Sequence, residues 1–341
     1  MGSEPETQGQ PVLFVCTPSL KASTHAARVR SALGSRLAAE FTEVEPHVPR
    51  ETVDSARALA EQHRIEVVVA MGGGSAMGVG KGVVSGEGRS LIAIPTTYAG
   101  SEMTPVFGTT DRAERRKSVR RDDSVLPKLV IYDPEVTVDL SPGLTASTAI
   151  NALAHCVEAC YARDVNPLVT PIALEGIRRV VRSLPLCVAD GRNLDAREDL
   201  LTGAYLAGVS IGNARMALHH GICHVLGGRT GVAHGVLNAI MLPHVMQFNA
   251  DAVPDAMRAI AEAMESPHPT LPRKRGREIP AQEAVAALVA TLPVPHRLRD
   301  AGVPESVLDS VAAEAVANST VQANPKPVSE ADLRELLARA W

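Results

Sequence analysis

Of the eleven histidines in the chain, four fall where imidazoles can work together. His220 and His224 are four apart in His219-His-Gly-Ile-Cys-His224, so on a helix both rings project from one face. Gly227-Gly228 follows and is expected to end that helix, because glycine takes the left-handed C-terminal conformation at little cost. His234 then opens the next apolar run, Gly235-Val-Leu-Asn-Ala-Ile-Met-Leu-Pro243. Upstream, Asn151 and His155 form a second pair four apart. Two helices that each carry such a pair, with a loop histidine beside them, are how a metal or anion site is assembled between helices. One histidine alone usually reads as a satisfied core or cap residue; a set converging on one turn reads as a site.

Two kinds of chain must position these residues. At 341 residues the sequence is long for one core, which predicts two domains. Residues 11–16 read as a buried strand, 26–41 as a helix, 43–48 as a strand, 51–63 as a helix and 65–71 as a central β-branched strand. A helix over 76–85 and strands at 91–95 and 129–133 extend the alternation, and Asp133-Pro134-Glu135 reads as the turn leaving the sheet. This specifies a doubly wound, Rossmann-like α/β domain over 11–144, after a disordered stretch at 1–10. From Thr145, read as a helix cap, the pattern is helical, with helices at 170–183, 198–213, 255–264 and 330–340. An all-α domain over 145–341 therefore carries both polar pairs. Within it, 266–280 sets prolines around Arg273-Lys-Arg-Gly-Arg277 and reads as an exposed, flexible insertion without aromatic partners for nucleic acid.

Composition excludes several function classes. A net charge of −4 with 3% aromatics supplies neither a polyanion-binding field nor stacking platforms. No apolar run reaches membrane-spanning length, and the first ten residues are polar and acidic, unlike a signal peptide, so a cytoplasmic protein is expected. Cys16, Cys156, Cys160, Cys187 and Cys223 are odd in number and lie in apolar surroundings, as buried thiols of a reducing compartment do.

The third strand runs into Gly72-Gly73-Gly74-Ser75 and then a helix. Such a turn lets a phosphate approach backbone N–H groups at the helix start. It lacks the G-x-G-x-x-G spacing and follows the third strand rather than the first, so alone it is a weak signal. The next strand delivers Thr96-Thr97-Tyr98-Ala99-Gly100-Ser101-Glu102 to the carboxyl edge of the sheet, where cofactor crevices lie. Lys81 and Lys117 are candidates to reach phosphate or ribose oxygens.

With these residues in hand, the sequence resembles the iron-containing (group III) alcohol dehydrogenase superfamily over about residues 11–340, and within it the maleylacetate reductases. The resemblance rests on Met71-Gly-Gly-Gly-Ser75, Pro95-Thr-Thr-Tyr-Ala-Gly-Ser-Glu-Met-Thr104, Tyr132-Asp-Pro134, Asn151-x-x-x-His155 and the His220, His224, His234 block ending in Asn238-Ala-Ile-Met-Leu-Pro-His244. It implies the dehydroquinate synthase-like fold of that superfamily. Metal-dependent members usually carry an aspartate where this chain has Asn151, ahead of histidines matching His155, His220 and His234. An amide lacks the carboxylate charge that helps hold a divalent cation. The loop after Pro95 is also one residue shorter than the Pro-Thr-Thr-Ala-Gly-Thr-Gly-Ser-Glu of alcohol dehydrogenases, and it carries Tyr98. Both departures look like the reductases.

The resemblance implies NADH or NADPH as cofactor, its pyrophosphate on Gly73, Gly74 and Ser75, with Thr96, Thr97 and Thr104 further along and Lys117 near the ribose. Thr17 stands where the family often has an aspartate that repels the phosphate of NADP, so both cofactors should serve. The implied substrate is the dicarboxylate maleylacetate, reduced at its enone double bond to 3-oxoadipate in aromatic-compound catabolism. His155, His220, His224 and His234 would surround it beside Asn151, and one ring or Tyr98 would protonate the carbon next to the ketone. Arg215, His219 and Arg229 are candidates for its carboxylates. No metal is required in this reading; iron or zinc, if held, would sit on Asn151, His155, His220 and His234. A homodimer is the family expectation. Competing readings are a metal-dependent alcohol or polyol dehydrogenase, a dehydroquinate synthase-like cyclase, and a non-catalytic relative. Phosphate-binding cations around the histidines would favour the cyclase, and few are present; intact glycine and threonine loops beside all four histidines argue against the non-catalytic relative.

Overall fold

The computed structural model describes residues 9–113, 116–265 and 279–341, so the expectations for 1–8 and for nearly all of the 266–280 insertion lie outside the described residues. The chain divides into two compact units, one of residues up to 96 with 101–136, the other of residues 97–100 with 137–341.

In the first unit the elements run β1 (Val12–Cys16), α1 (Thr24–Leu33), β2 (Leu37–Phe41), α2 (Arg50–Gln62), β3 (Val67–Gly72), α3 (Gly74–Val84), β4 (Ser90–Pro95), β5 (Val106–Asp111), β6 (Arg116–Arg121) and β7 (Leu129–Val130). Five of these strands form one sheet in the order β2-β1-β3-β4-β7, every pairing parallel, and β5 with β6 makes a separate antiparallel ribbon. Alternate residues of β1 enter different cores: Leu13 and Val15 pack with Val68 and Ala70 on one face, Phe14 and Cys16 with Val69 and Met71 on the other. Burial on both faces is why these strands read as unbroken apolar runs.

Three expectations for this unit are corrected. The helix placed over 26–41 stops at Leu33, because Gly34 turns the chain at φ +53°, and 37–41 is the edge strand β2. The strand placed at 43–48 does not form, since His47 and Val48 both take left-handed backbone conformations, at φ +63° and +53°. The β5–β6 ribbon was not foreseen, and the strand expected over 129–133 is only Leu129–Val130.

The second unit holds α4 (Pro142–Tyr161), α5 (Val169–Ala189), α6 (Leu194–Asn213), α7 (Leu218–Thr230), α8 (His234–Asn249), α9 (Pro254–Met264), α10 (Ala281–Ala290), α11 (Leu308–Val316), α12 (Ser319–Gln322) and α13 (Glu330–Ala340). Ser141, not Thr145, caps α4, accepting the Leu144 N–H. Nor does α7 end at Gly227-Gly228; it continues to Thr230 and is closed by Gly231 at φ +72°, whose N–H donates to the Gly227 carbonyl. Among the described residues all five cysteines are buried and free, and no helix is long and apolar enough to cross a membrane.

Lys81, on α3, is fully buried. Its ammonium donates to the carbonyls of Ser101 (2.5 Å), Thr104 (2.7 Å) and Val106 (2.8 Å) and to Thr104 Oγ1 (3.1 Å). It therefore shapes the loop after β4 rather than reaching for a phosphate, which corrects the sequence expectation for this lysine. Burial pulls its pKa down to about 7, opposed by the nearby Glu102 carboxylate. Lys81→Met should leave three carbonyls without donors and cost about 3–5 kcal/mol in urea unfolding. A loss below about 1 kcal/mol would mean that water re-pairs them.

Candidate active site

Two groups of side chains meet the chemistry read from the sequence, one in each unit. In the sheet unit, strand order reverses direction between β1 and β3, and ligands of doubly wound sheets bind beyond the carboxyl ends of the strands at such a switch point. Thr17 follows β1 there, and Gly72-Gly73-Gly74 follows β3. Gly72 sits at φ +150°, and a Cβ on it would come within 2.8 Å of Ala76 Cβ and 3.0 Å of Thr17 Cγ2, so only glycine fits. Gly73 is the N-cap of α3 and supplies no side chain, leaving the first N–H groups of that helix to an outside acceptor. Gly74 is exposed and Ser75 half-buried, with open space around the position of a Gly74 Cβ.

Thr96 is buried, and its N–H donates to the Gly72 carbonyl (3.0 Å). Thr104 is buried too, its hydroxyl bonded to Lys81 and the Ser101 carbonyl. Lys117 stands on β6 opposite Thr110; the expectation for its side chain lies outside the described residues. Glu102, fully buried, accepts from the Tyr132 hydroxyl (2.8 Å), and its carboxyl is raised above the usual range by burial.

In the helical unit the four histidines come together. His155 stacks on His220 with ring centroids 4.6 Å apart, and His224 stacks on His234 at 5.1 Å. His220 lies 5.8 Å from His234 and 6.3 Å from His224. His155 and His220 are buried, whereas His224 and His234 are half-buried and form the more accessible side. Burial, followed by the repulsion expected from His220, His219 and His224, holds His155 well below the ordinary imidazole pKa, so it stays neutral. Asn151, one turn from His155 on α4, donates through Nδ2 to the Ala99 carbonyl (3.2 Å), while its Oδ1 is buried with no hydrogen-bond partner.

These residues are donors of the types a divalent cation takes. Imidazoles sharing an ion at ~2.1 Å per nitrogen put their ring centroids on the order of 5 Å apart. The pairs His155–His220 and His220–His234, at 4.6 and 5.8 Å, bracket that spacing. His220 Nε2 and Asn151 Oδ1 are both buried lone-pair atoms without partners.

The sequence reading missed a carboxylate, Glu158, three residues after His155 and on the same face of α4. It is fully buried, and its Oε2 lies 2.7 Å from His220 Nδ1. The sequence reading placed no carboxylate among the histidines, and this contact supplies one. A lone acidic residue inside Cys156-Val-Glu-Ala-Cys160, at helical spacing from His155, was the available signal.

Five other candidates complete the set. The Tyr98 hydroxyl is buried against Arg197 Nη1 (2.8 Å) and Thr137 Oγ1 (3.1 Å). Burial raises its pKa, against the opposing pull of Arg197. Arg215 pairs with Asp164 and Arg229 with Glu314, and His219 is fully buried with Nε2 against the Asn238 carbonyl (3.3 Å). Thr97 is buried and belongs with the helical unit.

Residues 1–134 match the description "Iron-containing alcohol dehydrogenase", and residues 145–341 match "Fe-containing alcohol dehydrogenase family, C-terminal". The chain belongs to the iron-containing alcohol dehydrogenase family. Among its relatives, the maleylacetate reductase of Sphingobium indicum is 37% identical over 97% of this chain and 89% of that protein. The crystal structure of maleylacetate reductase from Agrobacterium tumefaciens superposes with a TM-score of 0.86 at 34% identity, covering 97% of this chain and 89% of the other. An iron-containing alcohol dehydrogenase from Corynebacterium glutamicum gives 0.87 at 35% identity, covering 97% and 88%. The protein is thus an oxidoreductase by family. Placing a carboxylate at the switch point tests the cofactor side: Thr17→Asp should weaken NADPH binding about tenfold more than NADH binding in a fluorescence titration. Equal effects on the two would remove position 17 from the ribose-phosphate contact.

Proposed function

We propose that the protein is a maleylacetate reductase, converting maleylacetate to 3-oxoadipate with NADH or NADPH. One observation carries the reading: in a chain 37% identical to a curated maleylacetate reductase, the residue four before His155 on α4 is the amide Asn151, its Oδ1 buried without a partner, while the carboxylate of that helix, Glu158, is taken up by His220 and the first N–H groups of α7. Reducing an isolated ketone creates a localised alkoxide and calls for a strong electrophile. In an enone the carbon β to the ketone accepts hydride, the C=C pair shifts to join the α carbon to the carbonyl carbon, the carbonyl pair moves onto oxygen, and the charge is spread over a delocalised enolate. A proton added to the carbon between them completes the saturated product. Fixed hydrogen-bonding dipoles suffice for charge of that kind.

The residues then divide the work. Gly73, Gly74 and Ser75 receive the pyrophosphate at the start of α3, with Thr96, Thr97 and Thr104 along the rest of the cofactor and Lys117 at the ribose. His155, His220, His224 and His234 enclose the enone with Asn151, excluding water. The proton donor belongs to the histidine cluster rather than to Tyr98, whose hydroxyl is engaged by Arg197 and Thr137. A divalent ion, held by Asn151, His155, His220 and His234, would supply a Lewis acid at the substrate carbonyl. Enone reduction does not depend on it.

The deciding assay follows the absorbance of NADH or NADPH with maleylacetate, with and without EDTA. Turnover should persist in chelator within roughly twofold, and Asn151→Asp should raise zinc affinity about tenfold or more. No cofactor oxidation with maleylacetate, but oxidation of simple alcohols once iron or zinc is supplied, would replace this reading with that of a metal-dependent alcohol dehydrogenase.

A further inference from the structure

Glu158 has no place in the chemistry so far, yet it is the most heavily hydrogen-bonded group in the histidine cluster. It reaches from α4 to the start of α7, where the N-cap Ala217 provides no side-chain acceptor. Oε1 accepts the His219 N–H (2.8 Å), and Oε2 accepts the N–H groups of Ala217 (3.2 Å) and His220 (3.4 Å). Oε2 also lies 2.7 Å from His220 Nδ1. Each of these contacts brings a nitrogen to a carboxyl oxygen, and on both oxygens a backbone N–H donates, the surroundings of a carboxylate. A carboxylate only accepts, so the nitrogen facing it has to donate.

A second acceptor makes the same demand. His219 Nε2 faces the carbonyl of Asn238 at 3.3 Å and so carries the hydrogen, which leaves His219 Nδ1 as a lone pair. That lone pair lies 3.4 Å from the same His220 Nδ1. Glu158, His219 and His220 are all buried and place one ligand atom each within 4.8 Å of the others, and both carboxylate oxygens already accept N–H groups.

We propose that Glu158 is the positioning residue of the histidine cluster: with His219 it fixes the proton of His220 on Nδ1 and presents Nε2 of that ring as a lone pair. His220 Nε2 is buried and without a partner among the described residues, and its ring is held in a stack on His155. At Nε2 the neutral His220 ring then accepts and does not donate, so the proton delivered to the substrate carbon comes from another ring of the cluster. The half-buried His224 and His234 are the accessible ones. This last step rests on the reductase reading; the tautomer does not.

The test is a long-range ¹H–¹⁵N spectrum of protein labelled in its histidine rings, with the His220 signals assigned by their loss in His220→Gln. Wild type should show His220 protonated at Nδ1 and bare at Nε2. In Glu158→Leu no acceptor faces Nδ1, which should let the proton move to Nε2 and lower kcat at least tenfold, with the KM for NADH unchanged. A wild-type His220 protonated at Nε2 would overturn the proposal, even if the variant fails to fold. So would an unchanged tautomer and kcat in a folded Glu158→Leu. The spectrum needs no substrate, so a wild type that leaves maleylacetate untouched would sink the reductase reading alone.

Discussion

Burying imidazoles without protonating them is the constraint on which the helical unit depends. His155, His219 and His220 lie within a few ångströms of one another in a region that water does not reach. A charge on His155 or His219 would be desolvated, and burial drives His219 down to about 3. Buried rings still need partners for their nitrogens, and one anion, Glu158, supplies that of His220 Nδ1. Because its oxygens also receive the first N–H groups of α7, the contact that orients His220 is the contact that seats α7 against α4. Disturbing one disturbs the other.

The sheet unit answers a different demand, that of bringing backbone close to a charged ligand. It does so by subtraction: no side chain at Gly72, none at the Gly73 cap, open space at Gly74. What it adds is rigidity in the loop that follows β4. Lys81 gathers three of that loop's carbonyls, and Glu102 takes the Tyr132 hydroxyl, so threonines at 96 and 104 are held by buried hydrogen bonds rather than left on a mobile tip.

Much of this was legible in the sequence, for reasons that differ between the parts. The parallel strands announced themselves because both faces are buried, as β1 and β3 show. The i, i+4 pairs on α4 and α7 placed His155, His220 and His224 correctly because helix geometry is nearly rigid. Edges and ends were harder. Gly34 and Gly231 each turn the chain at positive φ, but nothing local distinguishes them from Gly227 and Gly228, which stay inside α7. Leu37–Phe41 has helix-favouring residues and becomes a strand only because β1 is there to pair with it. Glu158 and Lys81 were passed over or misread for one reason: a buried charge is defined by partners far away in sequence, 59 to 62 residues on for Glu158 and 20 to 25 for Lys81.

The short stretch 97–100 has a practical corollary. It departs from the sheet unit, joins the helices, and returns, so the helical unit is not one continuous piece of chain. A fragment begun at residue 137 would keep every helix yet lose the phenol that caps the buried Arg197 guanidinium and the carbonyl that receives the Asn151 amide. Severed there, the protein should behave less like two halves than like a lock missing its pin, restored only when a peptide bearing Tyr98 and Ala99 is added back.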